Sequence, residues 1–296
     1  MPAHRASQAP ADVVRLRSLL FVPGDRPERF GKAAASGADA LILDLEDAVA
    51  PAAKDAARAA VAAHLAQTRN GPLVLVRVNP LGTPLFEADL EALAGHAPGG
   101  VLLPKAEGAS SVLDCAERLA RRGIAAPILP IATETPAAIF ALGGFRAVRE
   151  RLLGLTWGAE DLPAAIGAAT SREPDGRFTP PYETVRSLAL FAAHAAGVAA
   201  IETVYPAFRD EAGLDAFVRR AARDGFTGMM AIHPAQVGSI NAAFTPDAAA
   251  VLAARRIVDA FAAAPGAGAL QVDGRMVDAP HLHQARTLLA RAGDER

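Results

Sequence analysis

Two acidic residues, each placed directly after a short apolar run, are candidates for holding a metal ion together. Glu134 lies in PIATETP and Asp161 in WGAED, where predicted strands give way to helical patterns. If these strands are neighbours, the two carboxylates can share one cation. Oxygen ligands without a Cys or His cluster favour a hard divalent ion that keeps several waters, Mg2+ or Mn2+. The alternative is that either carboxylate caps the helix that follows it.

A single arginine, Arg77, interrupts the apolar run LVLVRVNP. An unpaired guanidinium is costly to bury, so Arg77 needs an anionic partner or a water-filled environment. The partner could be an acidic residue of ALILDLED, namely Asp44, Glu46 or Asp47, or a substrate carboxylate held by two hydrogen bonds. The two interpretations are compatible. Strand alternation puts Asp44 and Glu46 on one face and Asp47 on the other, which favours an ion pair for part of this group.

The elements that must position these residues alternate between strand and helix. Eight short runs of Val, Ile and Leu are continuous rather than alternating, which is typical of strands buried on both faces. They recur about every 30 residues with helical patterns between them, so we predict a (β/α)8 TIM barrel. A doubly wound open sheet is the weaker alternative, because no G-x-G-x-x-G follows the first strand and no P-loop occurs. The runs are SLLFVPG, ALILDLED, LVLVRVNP, GVLLPKA, PILPIATE, LLGLTWGAED, AAIETVYP and GMMAIHP.

Polar residues gather at the carboxyl ends of these predicted strands, and few lie at the opposite ends. In a barrel of this kind chemistry occurs at the carboxyl ends. The distribution therefore predicts one site on that face. The residues are Asp25, Asp44, Glu46, Asp47, Arg77, Asn79, Lys105, Glu134, Glu160, Asp161, Tyr205 and His233.

The predicted barrel occupies residues 15–250, and residues 251–296 form a C-terminal extension. The extension contains the helical AAAVLAARRIVDAFAAA, a loop PGAGA, a short QVDGRMVDAP and a last helix HLHQARTLLARAG. Its Gly and Pro residues predict a segment that packs against a barrel mouth or reaches across one.

Bulk composition excludes several classes of protein. The 296 residues are 51% hydrophobic and 21% charged, as expected for a globular chain with a large core. A net charge of −2 gives no indication of a nucleic-acid or membrane partner. The single cysteine, Cys115, excludes an intrachain disulfide and predicts a reducing compartment, the cytoplasm. No uncharged apolar run approaches the roughly 20 residues of a membrane span.

The chain resembles the citrate lyase beta-subunit-like family, the CoA ester lyase branch of the HpcH/HpaI aldolase superfamily. The resemblance covers nearly the whole chain after about residue 15. It implies a (β/α)8 barrel, a Mg2+ requirement, and cleavage or formation of carbon–carbon bonds in β-hydroxyacyl thioesters. Malyl-CoA or citramalyl-CoA would give acetyl-CoA and a 2-oxo acid. The matching segments, in order, are RSLLFVPGDRPERFGKA, ALILDLEDAV, VRVNP, LLPKAE, ETP, WGAEDL and AIHPAQV.

The resemblance also implies roles for individual residues in the barrel. Glu134 and Asp161 would be the metal ligands, with Glu134 also at the substrate, and Arg77 would grip the carboxylate or keto-acid oxygens of the substrate. Glu202 in IETVYP is a departure, because relatives commonly have Asp there.

The resemblance also implies roles for the C-terminal extension and for three basic residues that would contact the CoA part of the substrate. DGRMVDAPHLHQA resembles an extension that enters a neighbouring subunit's active site. Asp278 would then handle the proton at the acetyl carbon, in a homo-oligomer that is a trimer or a hexamer. Arg17, Arg26 and Lys32 lie where family members contact the CoA phosphates. The basic group after the first strand, Arg26, Arg29 and Lys32, is of a kind that is usually just a solvated face.

Three other functions are compatible with the same motifs. The protein could hydrolyse the same thioester, act as a citrate lyase beta subunit on a carrier-bound thioester, or bind CoA without catalysis.

Overall fold

Eight parallel strands lie within the eight apolar runs that the sequence predicts. The computed structural model describes residues 15–67 and 70–293. The strands are β1 Ser18–Pro23, β2 Ala40–Asp44, β3 Leu73–Arg77, β4 Gly100–Leu103, β5 Ile128–Pro130, β6 Gly154–Thr156, β7 Ala199–Glu202 and β8 Gly228–Ala231.

The strands form a nearly closed barrel in the order β5-β4-β3-β2-β1-β8-β7-β6. Between β5 and β6 there is no continuous ladder, and isolated contacts close the seam. The backbone N–H of Ala132 donates to the carbonyl of Thr156 at 2.9 Å, and that of Leu153 donates to the carbonyl of Ile128 at 2.9 Å. The predicted TIM-barrel fold is confirmed.

Helices follow the strands as the pattern predicts. They are α1 Phe30–Ala34, α2 Lys54–Gln67, α3 Pro84–Leu93, α4 Ala109–Arg121, α5 Pro136–Ala141, α6 Asp161–Ile166, α7 Pro180–Ala196, α8 Glu211–Asp224 and α9 Val237–Phe244. The segment PAAIFALGGFRAVRERL differs from the expected single helix, because α5 gives way to a 3-10 segment, Leu142–Arg151. Gly143 and Gly144 explain the break, since glycine is among the poorest helix formers.

The barrel interior is filled by aliphatic side chains from successive strands, which fix the strands that carry the polar ends. Burial of each large aliphatic side chain stabilises the fold by roughly 1.5–3 kcal/mol. The fully buried members of this core include Leu19, Ile42, Leu75, Leu102, Leu129 and Ile201.

The chain divides into two compact units, residues 1–240 and 241–296. In the second unit α10 Ala248–Ala263 packs on α11 Ala279–Ala292 around Ala254, Ala285 and Leu289. The predicted extension, 251–296, falls in this unit, and its residues 294–296 lie outside the described residues.

The extension is not wholly helical, because a β-hairpin connects its two helices. Strands β9 Ala269–Val272 and β10 Arg275–Asp278 pair antiparallel. Asp273 and Gly274 form the turn with φ of 50° and 76°. Two positive φ angles are what a two-residue hairpin turn requires, and Asp-Gly supplies them readily.

By length and composition alone, one stretch, residues 234–263, is apolar enough to cross a membrane. It is not one continuous helix, since α9 ends at Phe244 and α10 begins at Ala248, with Pro246 between them.

Candidate metal centre at the carboxyl face of the barrel

Arg77 forms a buried ion pair with the acidic residues that end β2. The β2–β3 register places Asp44 beside Arg77. Arg77 Nε and Nη2 donate to Asp44 Oδ1 and Oδ2 at 2.7 and 2.6 Å. Its Nη1 lies 3.0 Å from Glu46 Oε2. The ion-pair interpretation of Arg77 is therefore correct. Asp47 is exposed and lies in the turn beyond the end of β2.

The guanidinium of Arg77 keeps donors for a further anion. Two of its five N–H groups donate to Asp44, and the contact of Nη1 with Glu46 Oε2 is an ion pair without a hydrogen bond, so three N–H groups remain available. The Phe21 ring lies 4.9 Å from its central carbon and fixes its plane. Burial lowers the pKa of Arg77. The hydrogen bonds to Asp44 and the negative charges of Asp44 and Glu46 raise it by more, so the pKa of Arg77 lies above its usual value. Arg77 is thus a permanently charged, oriented donor.

Lys105 connects three carboxylates at the ends of β2, β5 and β6. Its backbone has φ of 51°, a left-handed conformation that is rare and strained outside glycine. In this conformation the Lys105 backbone N–H donates to Glu134 Oε2 at 2.6 Å. The ammonium lies 2.9 Å from Glu46 Oε1 and 3.3 Å from Asp161 Oδ1. Sequence reasoning placed Lys105 at a strand end on the face predicted to carry the site but gave it no role there.

Glu134 is buried against the backbone that leads from β6 to Asp161. A Cβ atom on Gly158 would lie 3.0 Å from Glu134 Cγ and 3.2 Å from Oε1, so a larger residue there would crowd this carboxylate. The Gly158 backbone N–H donates to the Thr133 hydroxyl at 3.1 Å. This hydrogen bond joins the segment that follows β5 to the segment that follows β6. Glu134 and Asp161 therefore stand on neighbouring strand ends, as predicted.

Neither carboxylate is bonded as a helix cap. The Thr135 hydroxyl caps α5 by accepting from the backbone N–H of Ala138 at 3.2 Å. Asp161 is the first residue of α6, and the preceding Glu160 makes no side-chain cap bond. The structure thus favours a role other than capping for Glu134 and Asp161.

The charge balance of this cluster fits a divalent cation. Two cations, Arg77 and Lys105, face four carboxylates, those of Asp44, Glu46, Glu134 and Asp161, which leaves a formal charge of −2. Within residues 15–67 and 70–293 no three Asp, Glu, His or Cys groups converge to hold an ion. Two protein carboxylates supplemented by waters or substrate oxygens are what Mg2+ accepts.

Burial has the largest effect on the protonation of Glu134. Burial raises the pKa of Glu134 to about 8; the charges of Asp161 and Glu46 also raise it, and contacts with Lys105 lower it. A bound cation would favour the carboxylate form.

Mg2+ affinity is expected to rise with pH and to level off above about pH 8. Below that pH Glu134 holds a proton in the metal-free protein, and binding must release it, so affinity should change by up to about tenfold per pH unit. Isothermal titration calorimetry in buffers of different ionisation enthalpy measures both the affinity and the released proton. An affinity that is constant from about pH 6 to pH 8, with no proton released, would contradict the assignment of Glu134.

The three basic residues predicted to contact CoA phosphates do not share one end of the barrel. Arg17 precedes β1, and its Nε and Nη2 donate to Asp39, which precedes β2, at 2.9 and 2.8 Å. It therefore lies at the amino ends of the strands, opposite the carboxyl face, and its contact with CoA stays a prediction. Arg26 and Lys32 are exposed on the carboxyl side of β1. Their contact with CoA stays a prediction.

Asp278 ends the hairpin of the second unit and directly precedes α11. Its Oδ1 lies 2.5 Å from His281 Nδ1, and this hydrogen bond lowers the pKa of Asp278. The pairing with His281 was missed, although a His three residues beyond a helix cap is a local signal for it. The role of Asp278 in a neighbouring site stays a prediction.

Glu202 takes part in a buried hydrogen-bond network that includes Trp157, the residue before Gly158. Its Oε1 accepts the indole N–H of Trp157 at 2.5 Å, and its Oε2 accepts from Arg186 Nε at 2.7 Å. Trp157 directly precedes Gly158, so the network holds the backbone against which Glu134 packs.

Comparison with known proteins agrees with the resemblance. Residues 17–234 match the family model described as HpcH/HpaI aldolase/citrate lyase. A citrate lyase subunit beta-like protein of Mycobacterium tuberculosis is 41% identical over 279 residues, covering 93% of this chain and 95% of the relative. A (3S)-malyl-CoA thioesterase of Cereibacter sphaeroides is 36% identical over 283 residues, covering 93% and 94%.

Solved structures similar to this chain come from the same family of proteins. Protein CitE from Mycobacterium tuberculosis, in complex with magnesium, acetoacetate and coenzyme A, is 39% identical with a TM-score of 0.79, covering 93% of this chain and 97% of that chain. A citrate lyase beta subunit from the same organism, complexed with oxaloacetate and magnesium, is 39% identical with a TM-score of 0.71, covering 79% and 99%. The predicted Mg2+ cofactor is thereby confirmed at the level of relatives. This chain belongs to the HpcH/HpaI aldolase/citrate lyase family.

Proposed function

We propose that this protein is a Mg2+-dependent CoA ester lyase. It cleaves or forms a β-hydroxyacyl-CoA such as malyl-CoA or citramalyl-CoA, with acetyl-CoA and a 2-oxo acid as the other side of the reaction. The observation that carries the proposal is the cluster at the carboxyl face. There Arg77 has free donors and is connected through Glu46 and Lys105 to Glu134 and Asp161, in a cluster with an excess of negative charge.

In the proposed cleavage the bond between the carbinol carbon and the carbon next to the thioester breaks. The hydroxyl gives its proton to solvent water and becomes a carbonyl, and the electron pair of the broken carbon–carbon bond moves into a thioester enolate. Glu134 and Asp161 would hold the Mg2+ ion, which when bound would supply Lewis-acid chemistry at the hydroxyl and carboxylate oxygens of the substrate. The remaining N–H groups of Arg77 bind the same oxygen cluster and stabilise charge there.

The enolate carbon must gain a proton to become the methyl group of acetyl-CoA. We assign this transfer to Asp278 of a neighbouring subunit, which in the reverse direction removes a methyl proton. The hydrogen bond from His281 favours the carboxylate form of Asp278, which suits the bond-forming direction. This assignment requires a homo-oligomer, a trimer or a hexamer.

Hydrolysis of the same thioester is the second candidate. The similarity to (3S)-malyl-CoA thioesterases of Cereibacter sphaeroides favours it, because a site that stabilises an enolate and admits water can release free CoA. A carrier-bound thioester in place of CoA is a variant of the lyase, favoured by the 37% identity to citrate lyase subunit beta of Escherichia coli. Cytoplasmic location and Mn2+ as an alternative ion stay predictions, as does the non-catalytic CoA-binding role.

Purified protein is expected to release acetyl-CoA together with glyoxylate from malyl-CoA, or with pyruvate from citramalyl-CoA, with Mg2+ but not with EDTA. The measurement is a coupled assay for 2-oxo acid run in parallel with a free-thiol assay. Free CoA without 2-oxo acid would support the thioesterase instead. No product from either substrate would contradict both enzymatic functions on these thioesters.

A further inference from the structure

The Lys105 ammonium contacts one of the two predicted metal ligands. Its Nζ lies 3.3 Å from Oδ1 of Asp161 and 2.9 Å from Oε1 of Glu46. The side chains of Lys105 and Asp161 are 32% and 34% exposed, so water and salt screen this contact only in part. An ion bound by Asp161 would therefore share that carboxylate with a positive charge of the protein itself.

The main chain and the side chain of Lys105 act on the metal site separately. The backbone N–H donates to Glu134 Oε2 at 2.6 Å, in the left-handed conformation with φ of 51°. The ammonium instead contacts Asp161 and Glu46. Methionine is unbranched like lysine, so Lys105→Met removes the charge while the main-chain hydrogen bond to Glu134 can stay in place.

The ammonium of Lys105 is the charge partner of Asp161. Within residues 15–67 and 70–293, Asp161 forms an ion pair with Lys105 alone, whereas Glu46 also pairs with Arg77. Without the ammonium, one cation, Arg77, would face the four carboxylates of the cluster. The formal charge would then be −3, one positive charge against four negative ones, in place of −2.

The ammonium has two opposite effects on metal binding. It holds the Asp161 carboxylate in place, which favours binding, but a lysine is a compact charge on a flexible stem and orients its partner only weakly. It also repels the double charge of the ion, and this repulsion decreases only in inverse proportion to distance. The repulsion is therefore the larger effect.

We propose that the Lys105 ammonium is a counter-cation built into the metal site, which lowers the affinity of Glu134 and Asp161 for Mg2+. This inference rests on the metal site of the proposed function and adds a residue that keeps the ion exchangeable. A weakly held ion suits a site in which substrate oxygens supply further ligands, as is usual for Mg2+.

Lys105→Met is expected to bind Mg2+ at least about tenfold more tightly than the wild type, because a like charge beside the ion has been removed. The measurement is isothermal titration calorimetry on the full chain after removal of metal. It is made at pH 9, above the pKa of Glu134, which is about 8, so that proton release does not mask the gain. A residue with a merely structural role would give weaker binding when replaced.

Three further variants separate the charge from the shape of the side chain. Lys105→Gln is a second uncharged variant, which should also bind Mg2+ more tightly and which keeps the test intact if Lys105→Met does not fold. Lys105→Arg retains the charge and should bind as the wild type does. Arg29→Met is the matched control, because it removes an exposed positive charge from the segment that follows β1. It should leave the affinity unchanged.

Thermal melting gives an independent readout. In EDTA, Lys105→Met should melt at a lower temperature than the wild type, because four carboxylates then face Arg77 alone. Saturating Mg2+ should raise its melting temperature by more than that of the wild type, since a ligand stabilises the folded state in proportion to the logarithm of its affinity.

Two results would overturn the proposal while the metal site stands. The first is Mg2+ affinity in the uncharged variants that is equal to or weaker than that of a wild type that binds the ion. The second is an equal gain in Lys105→Arg, which would assign the effect to side-chain shape. Absence of Mg2+ binding in the wild type and in every variant would instead refute the metal site of the proposed function, and this inference with it.

Discussion

Replacing Glu134 with glutamine is expected to lower Mg2+ affinity by about 100-fold or more and to reduce lyase activity to background. The substitution removes one of the two carboxylates predicted to bind the ion, and loss of even an indirect metal contact costs about 10–100-fold. The measurements are Mg2+ titration by calorimetry and 2-oxo acid release. Unchanged Mg2+ affinity would refute the metal assignment.

The fold of Glu134→Gln should survive. In the metal-free protein the pKa of Glu134 is about 8, above its value in an unfolded chain, so ionisation of this buried group destabilises the fold as pH rises toward 8. A neutral amide lacks that penalty, so the melting temperature without metal should be equal to or higher than that of the wild type near pH 8. Glu160→Gln is the matched control, because Glu160 is exposed and makes no cap bond. It should bind Mg2+ normally.

Replacing Asp278 with asparagine is expected to lower kcat by about 10²–10⁴-fold while Mg2+ affinity stays unchanged. The range is the usual contribution of a positioned general acid or base. Asp273→Asn is a suitable control, since Asp273 occupies the hairpin turn with positive φ, a conformation that asparagine also tolerates. Wild-type turnover in Asp278→Asn would remove Asp278 from the mechanism.

A mixture of two inactive chains tests whether Asp278 acts on a neighbour. Chains carrying Glu134→Gln retain Asp278, and chains carrying Asp278→Asn retain Glu134. If the extension serves another subunit's site, co-expressed chains should form some sites with both residues intact and regain part of the activity. Mixtures that stay inactive, although both chains are found in one oligomer, would place Asp278 in its own subunit's site or in none.

The sequence predicted the parts of the site that depend on strand order. Arg77 and Asp44 fall opposite each other because parallel strands of similar length meet in register, and the apolar runs specify those strands. The same logic brought Glu134 and Asp161 to neighbouring ends. To make these predictions it was enough to know at which end of its strand each residue lies.

Features that depend on local backbone angles could not be predicted in the same way. The left-handed turn at Lys105 aims a backbone N–H at Glu134, yet nothing in the residue type signals it, since a non-glycine residue with positive φ is held there by surrounding contacts. Arg17 shows a different limit, because a motif match identified the residue but not the end of the barrel on which it lies. The hairpin at Asp273 and Gly274 did have a sequence signal in its Asp-Gly turn.

The predicted metal ligands lie on the two sides of the seam between β5 and β6, so metal binding would affect the stability of the barrel at this seam. Backbone pairing is sparse there, so this joint is where the barrel should open most readily in local fluctuations. Glu134 follows one side of the seam and Asp161 follows the other. An ion bound by both carboxylates would connect β5 to β6 where backbone pairing is sparsest. Metal binding would then also lower the rate at which the barrel opens locally at this seam.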